Sequence, residues 1–214
     1  MSRQLPVYLL IDSSGSMNGE PINSVNEGLR AMMNALRQDP YALETVLLSV
    51  ITFDREVKEI FTLTPIEEVQ LDDIVPPPSG ATHMGEALKY LLNRYRKDIK
   101  TKKEGVEGSF SPMVFIMTDG KPSDLQLFEE MVTKINTLKF ASIVGCAAGP
   151  KAKTEFLRQF ADPVVSMEST DSSSFSAFFK WVSASIASGN QSGGIDAAGA
   201  NQLPPPPTEV NIVV

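Results

Sequence analysis

The sequence contains one cysteine, Cys146, and one histidine, His83. A single thiol excludes an internal disulfide framework and any zinc site built from several cysteines. A single imidazole, following Thr82 where a helix should start, reads as a surface or supporting side chain rather than a general base. Long hydrophobic runs are missing too, and nothing approaches the roughly 20 apolar residues that a membrane span requires. Met1–Pro6 is polar with one arginine, and the apolar run Val7–Ile11 stops at Asp12, so no secretory leader is expected. Basic residues are the minority, with 19 Lys and Arg against 26 Asp and Glu and a formal net charge of −7. That balance argues against a nucleic-acid surface, which needs clustered cations to displace counterions. The expected setting is soluble and cytoplasmic, with neither nucleic acid nor membrane as partner.

At 214 residues and 42% hydrophobic composition, the chain can bury one sizeable core and carry a tail, while two full domains would be cramped. Val7–Ile11 is an unbroken apolar run, as expected for a strand covered on both faces. Pro21 marks a first helical turn, and Ile22, Val25, Leu29, Met32, Met33 and Leu36 follow at helical spacing. Thr45–Phe53 is a second β-prone run. The short Asp54-Arg55-Glu56 connection implies a hairpin, which makes Val57–Leu63 an antiparallel edge strand. Pro76–Gly80 is a stiff loop before a helix bearing Met84, Leu88, Leu91 and Leu92. Lys100–Gly108 is a charged, solvated excursion. Met113–Thr118, Ala141–Ala147 and Val164–Met167 read as strands. Helices alternate with them: one opened by Ser123 and Gln126 at capping-box spacing, Lys153–Phe160, and Ser174–Ala187. The cluster Ser169–Ser176 reads as capping for that last helix.

Strand and helix thus alternate, with one antiparallel edge. The expected fold class is α/β, an open, mostly parallel, doubly wound sheet with helices on both faces. Residues 1–188 should form this domain. Residues 189–202, rich in Gly, Ser and Ala, should be a flexible linker. Residues 203–214 should be a proline-rich extended tail, detachable from the core, whose Val210, Ile212 and Val214 suit strand addition to an edge of a neighbouring copy or another protein.

Ligands gather where strands of such a sheet end. Asp12-Ser13-Ser14-Gly15-Ser16 follows the first strand, and its alternation aims one carboxylate and two hydroxyls into one space. Thr82 sits in the Ser79-Gly80-Ala81-Thr82 loop before a helix. Asp119 closes the Met113–Thr118 strand. Taken singly, these are a turn, a helix cap and another turn. Together they offer carboxylates and hydroxyls without imidazole or thiolate, an all-oxygen set suited to Mg²⁺ first, and to Mn²⁺ or Ca²⁺.

Asp12-x-Ser14-x-Ser16, Thr82 in Gly-Ala-Thr and Asp119 in Thr-Asp-Gly resemble the metal-ion-dependent adhesion site of von Willebrand factor A domains, over roughly residues 5–188. More narrowly, Gly-Glu-Pro-Ile and Thr-Asp-Gly-Lys-Pro-Ser-Asp are similar to bacterial TerY-type proteins of tellurite-resistance and stress operons. The family resemblance implies a protein-binding module rather than an enzyme. Ser14, Ser16 and Thr82 would ligate the ion directly, Asp12 and Asp119 mainly through water, and a partner's Asp or Glu would complete the shell. The TerY likeness implies partners of the protein-kinase and PP2C-type phosphatase classes. The rival reading is a Mg²⁺-dependent phosphohydrolase of haloacid-dehalogenase type, which also places Asp after its first strand. That chemistry wants a carboxylate where this chain has Ser14, and no phosphate-binding glycine loop or serine-nucleophile elbow occurs.

Overall fold

In the computed structural model, residues 3–78, 80–99, 108–150, 152–191 and 203–213 are described, without the side chains of 189–191. Their strands are β1 (Leu5–Asp12), β2 (Val46–Phe53), β3 (Val57–Pro65), β4 (Met113–Thr118), β5 (Ser142–Ala148), β6 (Val164–Met167) and β7 (Asn211–Ile212). The helices are α1 (Glu20–Arg37), α2 (Pro40–Thr45), α3 (Met84–Asp98), α4 (Leu125–Ile135), α5 (Thr154–Leu157) and α6 (Ser172–Gln191). All strands join one sheet in the order β3-β2-β1-β4-β5-β6-β7. Pairings among β2, β1, β4, β5 and β6 are parallel, while β3 runs antiparallel on β2, as the short connection after Phe53 requires.

β1 is buried along its whole length, and its side chains divide by parity. Val7, Leu9 and Ile11 enter one core with α1 and α6, and Tyr8 and Leu10 enter the other with α3 and α4. The layers are therefore helix, sheet, helix. α1 begins after Gly19, whose φ of 86° suits glycine, and Pro21 lies in its first turn. It approaches α6 so closely that a Cβ on Gly28 would lie 2.3 Å from Phe179 Cδ2. Below α3, Arg94 Nε stands 2.9 Å from Asp98 Oδ2 and 3.3 Å from Glu59 Oε1, without the alignment of a hydrogen bond. Tyr8 and Tyr90 donate to the same two carboxylates. Burial, with the nearby Asp98 charge, pushes the Tyr8 hydroxyl well above the usual tyrosine range.

Three elements differ from the sequence expectations. Residues just before β2 form the helix α2, because Asp39 accepts from the amides of Tyr41 and Ala42 and Pro40 sits at its first turn. The last helix extends beyond Ala187 to Gln191, into the expected linker, and residues 192–202 of that linker lie outside the described residues. The tail is not free of the core. β7 pairs antiparallel with β6 of the same chain, Val165 opposite Ile212, and the Val213 amide donates to the Val164 carbonyl. Val210 is 3% exposed, and Trp181 Nε1 on α6 donates to the Pro204 carbonyl at 2.7 Å. The chain's own edge, at β6, takes the strand that the sequence pattern offers to a neighbour. The expected Lys100–Gly108 excursion falls largely outside the described residues, which resume at Gly108.

Candidate metal centre

With β1 between β2 and β4, the connections from β1 and β4 leave the carboxyl edge of the sheet side by side. This is the switch point at which ligands bind in open α/β sheets. Asp12 is the last residue of β1, and Asp119 is the first after β4. Asp12 is fully buried. Its Oδ1 accepts from the Ser14 amide at 2.8 Å and its Oδ2 from Thr118 Oγ1 at 2.5 Å. The loop then tightens into a 3₁₀ turn over Gly15–Met17. That turn sets Ser14 Oγ 3.2 Å from Ser16 Oγ, and Ser16 Oγ donates to Asp119 Oδ1 at 2.9 Å. Ser14 is buried, Ser16 exposed and Asp119 half-buried, so the cluster runs from the sheet edge out to solvent.

Thr82 belongs to the same cluster. A Cβ on Gly120 would lie 3.3 Å from Thr82 Oγ1, so the threonine hydroxyl faces the backbone next to Asp119. All five residues singled out in the sequence therefore meet at one end of the sheet. Ser79 lies outside the described residues.

Burial pushes the Asp12 carboxyl up to about 6, with Asp119 adding repulsion, although Thr118 and Ser14 hydrogen-bond to the charged form. No ion pair among the described residues involves Asp12. A buried carboxylate short of positive charge, beside a second carboxylate and three hydroxyls, is a donor set that fits a hard divalent cation. Among the described residues no group of three or more His, Cys, Asp or Glu is arranged to hold a metal, so an ion held here would need hydroxyl ligands beside Asp12 and Asp119. His83 Nδ1 lies 3.0 Å from the Arg55 carbonyl, and Lys121 is exposed. Cys146 is fully buried in β5, which raises its thiol far above the usual range and makes it a core residue.

Other residues around the cluster were not legible as part of it. Asp54, 6% exposed, accepts from Ser13 Oγ at 3.2 Å and from the Glu56 amide at 3.0 Å, and its carbonyl accepts from the His83 amide. It thus joins the first loop to the Thr82 loop. The expected capping box of Ser123 and Gln126 does not form. α4 starts one residue later than that box requires, and Ser123 Oγ accepts from the Thr82 amide instead.

The sequence matches the von Willebrand factor type A (VWA) domain over residues 7–181. The chain belongs to this family. Solved structures share the VWA fold at low identity. Proximal thread matrix protein 1 from the mussel byssus is 20% identical, with a TM-score of 0.63 over 87% of this chain and 48% of its own. A von Willebrand factor type A protein from Catenulispora acidiphila is 14% identical, with a TM-score of 0.65 over 88% of this chain and 44% of its own. The manganese-loaded Plasmodium vivax TRAP protein is 23% identical, with a TM-score of 0.53 over 74% of this chain and 62% of its own. This VWA chain thus spans about half the length of the first two. No curated protein sequence matches it. Among the described residues, no helix is long and apolar enough to cross a membrane.

Proposed function

We propose that this VWA domain is a cation-dependent protein-binding module. Ser14, Ser16 and Thr82 hold a divalent ion, with Asp12 and Asp119 behind them. The observation that carries the reading is the buried Asp12 carboxylate, which forms no ion pair among the described residues, at the meeting point of three hydroxyl-bearing loops. A divalent ion there would supply Lewis acidity toward a carboxylate of a protein partner, because two carboxylates would neutralise it only partly. The chain's own part is to orient the donors and leave Ser16 and Asp119 open to solvent. Mg²⁺ is the first choice for this oxygen set, with Mn²⁺ and Ca²⁺ as alternatives. One mussel-byssus structure carries zinc in its MIDAS motif and the TRAP structure carries manganese, which supports a divalent ion here.

We further propose that the protein works in the bacterial cytoplasm, in a TerY-type stress complex with a protein kinase and a PP2C-type phosphatase. The Gly19-Glu20-Pro21-Ile22 turn and the run from Thr118 to Asp124 support that likeness. No catalytic role is assigned, because the lone His83 is engaged with a backbone carbonyl and Ser14 stands where a phosphohydrolase needs its acid.

The test is titration of Mg²⁺ and Mn²⁺ into wild type and Asp12→Ala, with circular dichroism to check the fold. We expect Asp12→Ala to lose ion affinity at least tenfold while staying folded, since the residue ends β1 rather than filling the core. Unchanged affinity overturns the site. A partner complex recovered equally with and without EDTA overturns the adhesion mechanism, and phosphoester turnover lost in Asp12→Asn restores the hydrolase reading.

A further inference from the structure

The helices that follow the Thr82 and Asp119 loops are capped in an unusual way. α3 starts at Met84, and its cap residue, His83, makes no side-chain cap bond. Thr82, one residue earlier, is a good capping type, but its hydroxyl faces Gly120. α4 starts at Leu125, and its cap residue, Asp124, has the preferred chemistry yet makes no cap bond to α4. Asp124 reaches across to α3 instead. Its Oδ1 accepts from the Gly85 amide at 3.1 Å and its Oδ2 from the Glu86 amide at 2.9 Å. The approach is tight, since a Cβ on Gly85 would lie 2.8 Å from Asp124 Oδ2 and 2.5 Å from the Phe128 amide nitrogen. Beside it the Ser123 amide donates to the Thr82 carbonyl at 2.8 Å, and Ser123 Oγ accepts from the Thr82 amide at 3.2 Å.

We infer that Asp124 is a positioning residue for the ion site, capping α3 from outside so that the Thr82 hydroxyl is left for the cation. Two orphan amides at the start of α3 need an acceptor, and a threonine hydroxyl nearby is the ordinary supplier. With the Asp124 carboxylate on those amides, that competition is removed. The same bonds tie the Thr82 loop to the Asp119 loop, so the two donor-bearing strands of chain hold one relative position. α4 goes without its own side-chain cap. A local rule broken in this way is expected where a site rather than helix stability sets the geometry.

The inference rests on the proposed ion site and is tested on the intact chain by Mn²⁺ and Mg²⁺ titration with thermal melts. The variants are Asp12→Ala, Asp124→Ala, Thr82→Ala, the Asp124→Ala/Thr82→Ala double variant and Asp171→Ala. We expect Asp124→Ala to weaken ion binding about 10- to 100-fold, as loss of an orienting partner does. In the Thr82→Ala background the same change should cost little further affinity, while its effect on melting temperature persists. Asp171→Ala, the loss of an ordinary cap on α6, should lower the melting temperature and leave ion affinity alone. An Asp124→Ala protein that binds the ion as wild type does, while Asp12→Ala does not, overturns the positioning role and spares the site. Equal, additive losses of affinity in the Thr82→Ala background reduce Asp124 to a structural cap and also overturn it. If neither Asp12→Ala nor Thr82→Ala alters ion binding, the underlying site assignment has failed instead.

Discussion

Three donors converge on the carboxylate of Asp171, at the surface just before α6. The Ser174 amide and Ser173 Oγ reach Oδ1, each at 2.8 Å, and Ser169 Oγ reaches Oδ2 at 2.7 Å. The Ser174 amide first, then the serine hydroxyls, hold this carboxyl well below the usual carboxylate range. The folded-state value is depressed, so the stabilisation is complete above the unfolded value of about 4 and is lost as pH falls through the folded one. Asp171→Asn should therefore melt a few degrees below wild type at neutral pH, and the gap should close as pH drops below about 4. Melting curves from pH 7 to pH 2 check this, and a gap independent of pH would show that charge is not the cause. The serine cluster around Asp171 was readable as capping, because short polar side chains before an apolar helical run have few other uses. The five cluster residues were readable for a similar reason: each follows or precedes an element at the same end of a parallel sheet. Asp54 and Asp124 were not, because the donors that join each carboxylate to the cluster are distant in the chain, Ser13 Oγ for Asp54 and the first-turn amides of α3 for Asp124. Asp124 in particular has the sequence context of a cap for its own helix.

At the scale of elements, periodicity located the long helices and the buried strands, since each buries a face whose spacing is visible in the chain. α2 was hidden by its shortness, six residues whose apolar content blends into β2. The α1–α6 contact was equally hidden, because no local signal says which helices share a face. It is made by Gly28, whose missing side chain admits the Phe179 ring. Phe179 is 2% exposed and stands edge-on to Phe178, with ring centroids 5.4 Å apart, so it has no free direction in which to move. Gly28→Ala gains helix propensity of up to about 1 kcal/mol but overpacks the interface at a cost of about 1–3 kcal/mol. The expected outcome is net destabilisation, read by urea unfolding. A stabilised variant would mean that α6 can slide on α1 at little cost. Gly28→Ala with Phe179→Leu should recover part of the loss, since the smaller side chain vacates the space that the new methyl needs.

For the whole molecule, β7 changes what the tail does. A sheet that ended at β6 would expose unpaired amides and carbonyls, a template for other chains. Asn211 and Ile212 cover that edge, Val210 fills the core on the α1–α6 side, and Val213 packs on the α3–α4 side. Composition alone made the tail look separate, because four prolines and a Gly/Ser-rich approach are ordinary marks of a linker. The alternation of Val210, Ile212 and Val214 predicts a strand that can pair with an edge, and which edge it takes is a tertiary fact. Ending the chain at Gln202 should therefore lower stability. Burial of Val210 alone is worth about 1.5–3 kcal/mol, and Trp181 Nε1 loses its acceptor at Pro204 as well. The expected result is a melting temperature several degrees lower, with ion affinity unchanged because the tail lies at β6, two strands beyond β4 in the sheet. Uncovering β6 should also promote concentration-dependent self-association, visible in sedimentation velocity. Adding the peptide Leu203–Val214 in trans should reverse both effects, because the strand and its edge then meet again. A truncated protein that melts like wild type and stays monomeric would show that the tail contributes nothing to the fold and is available to a partner.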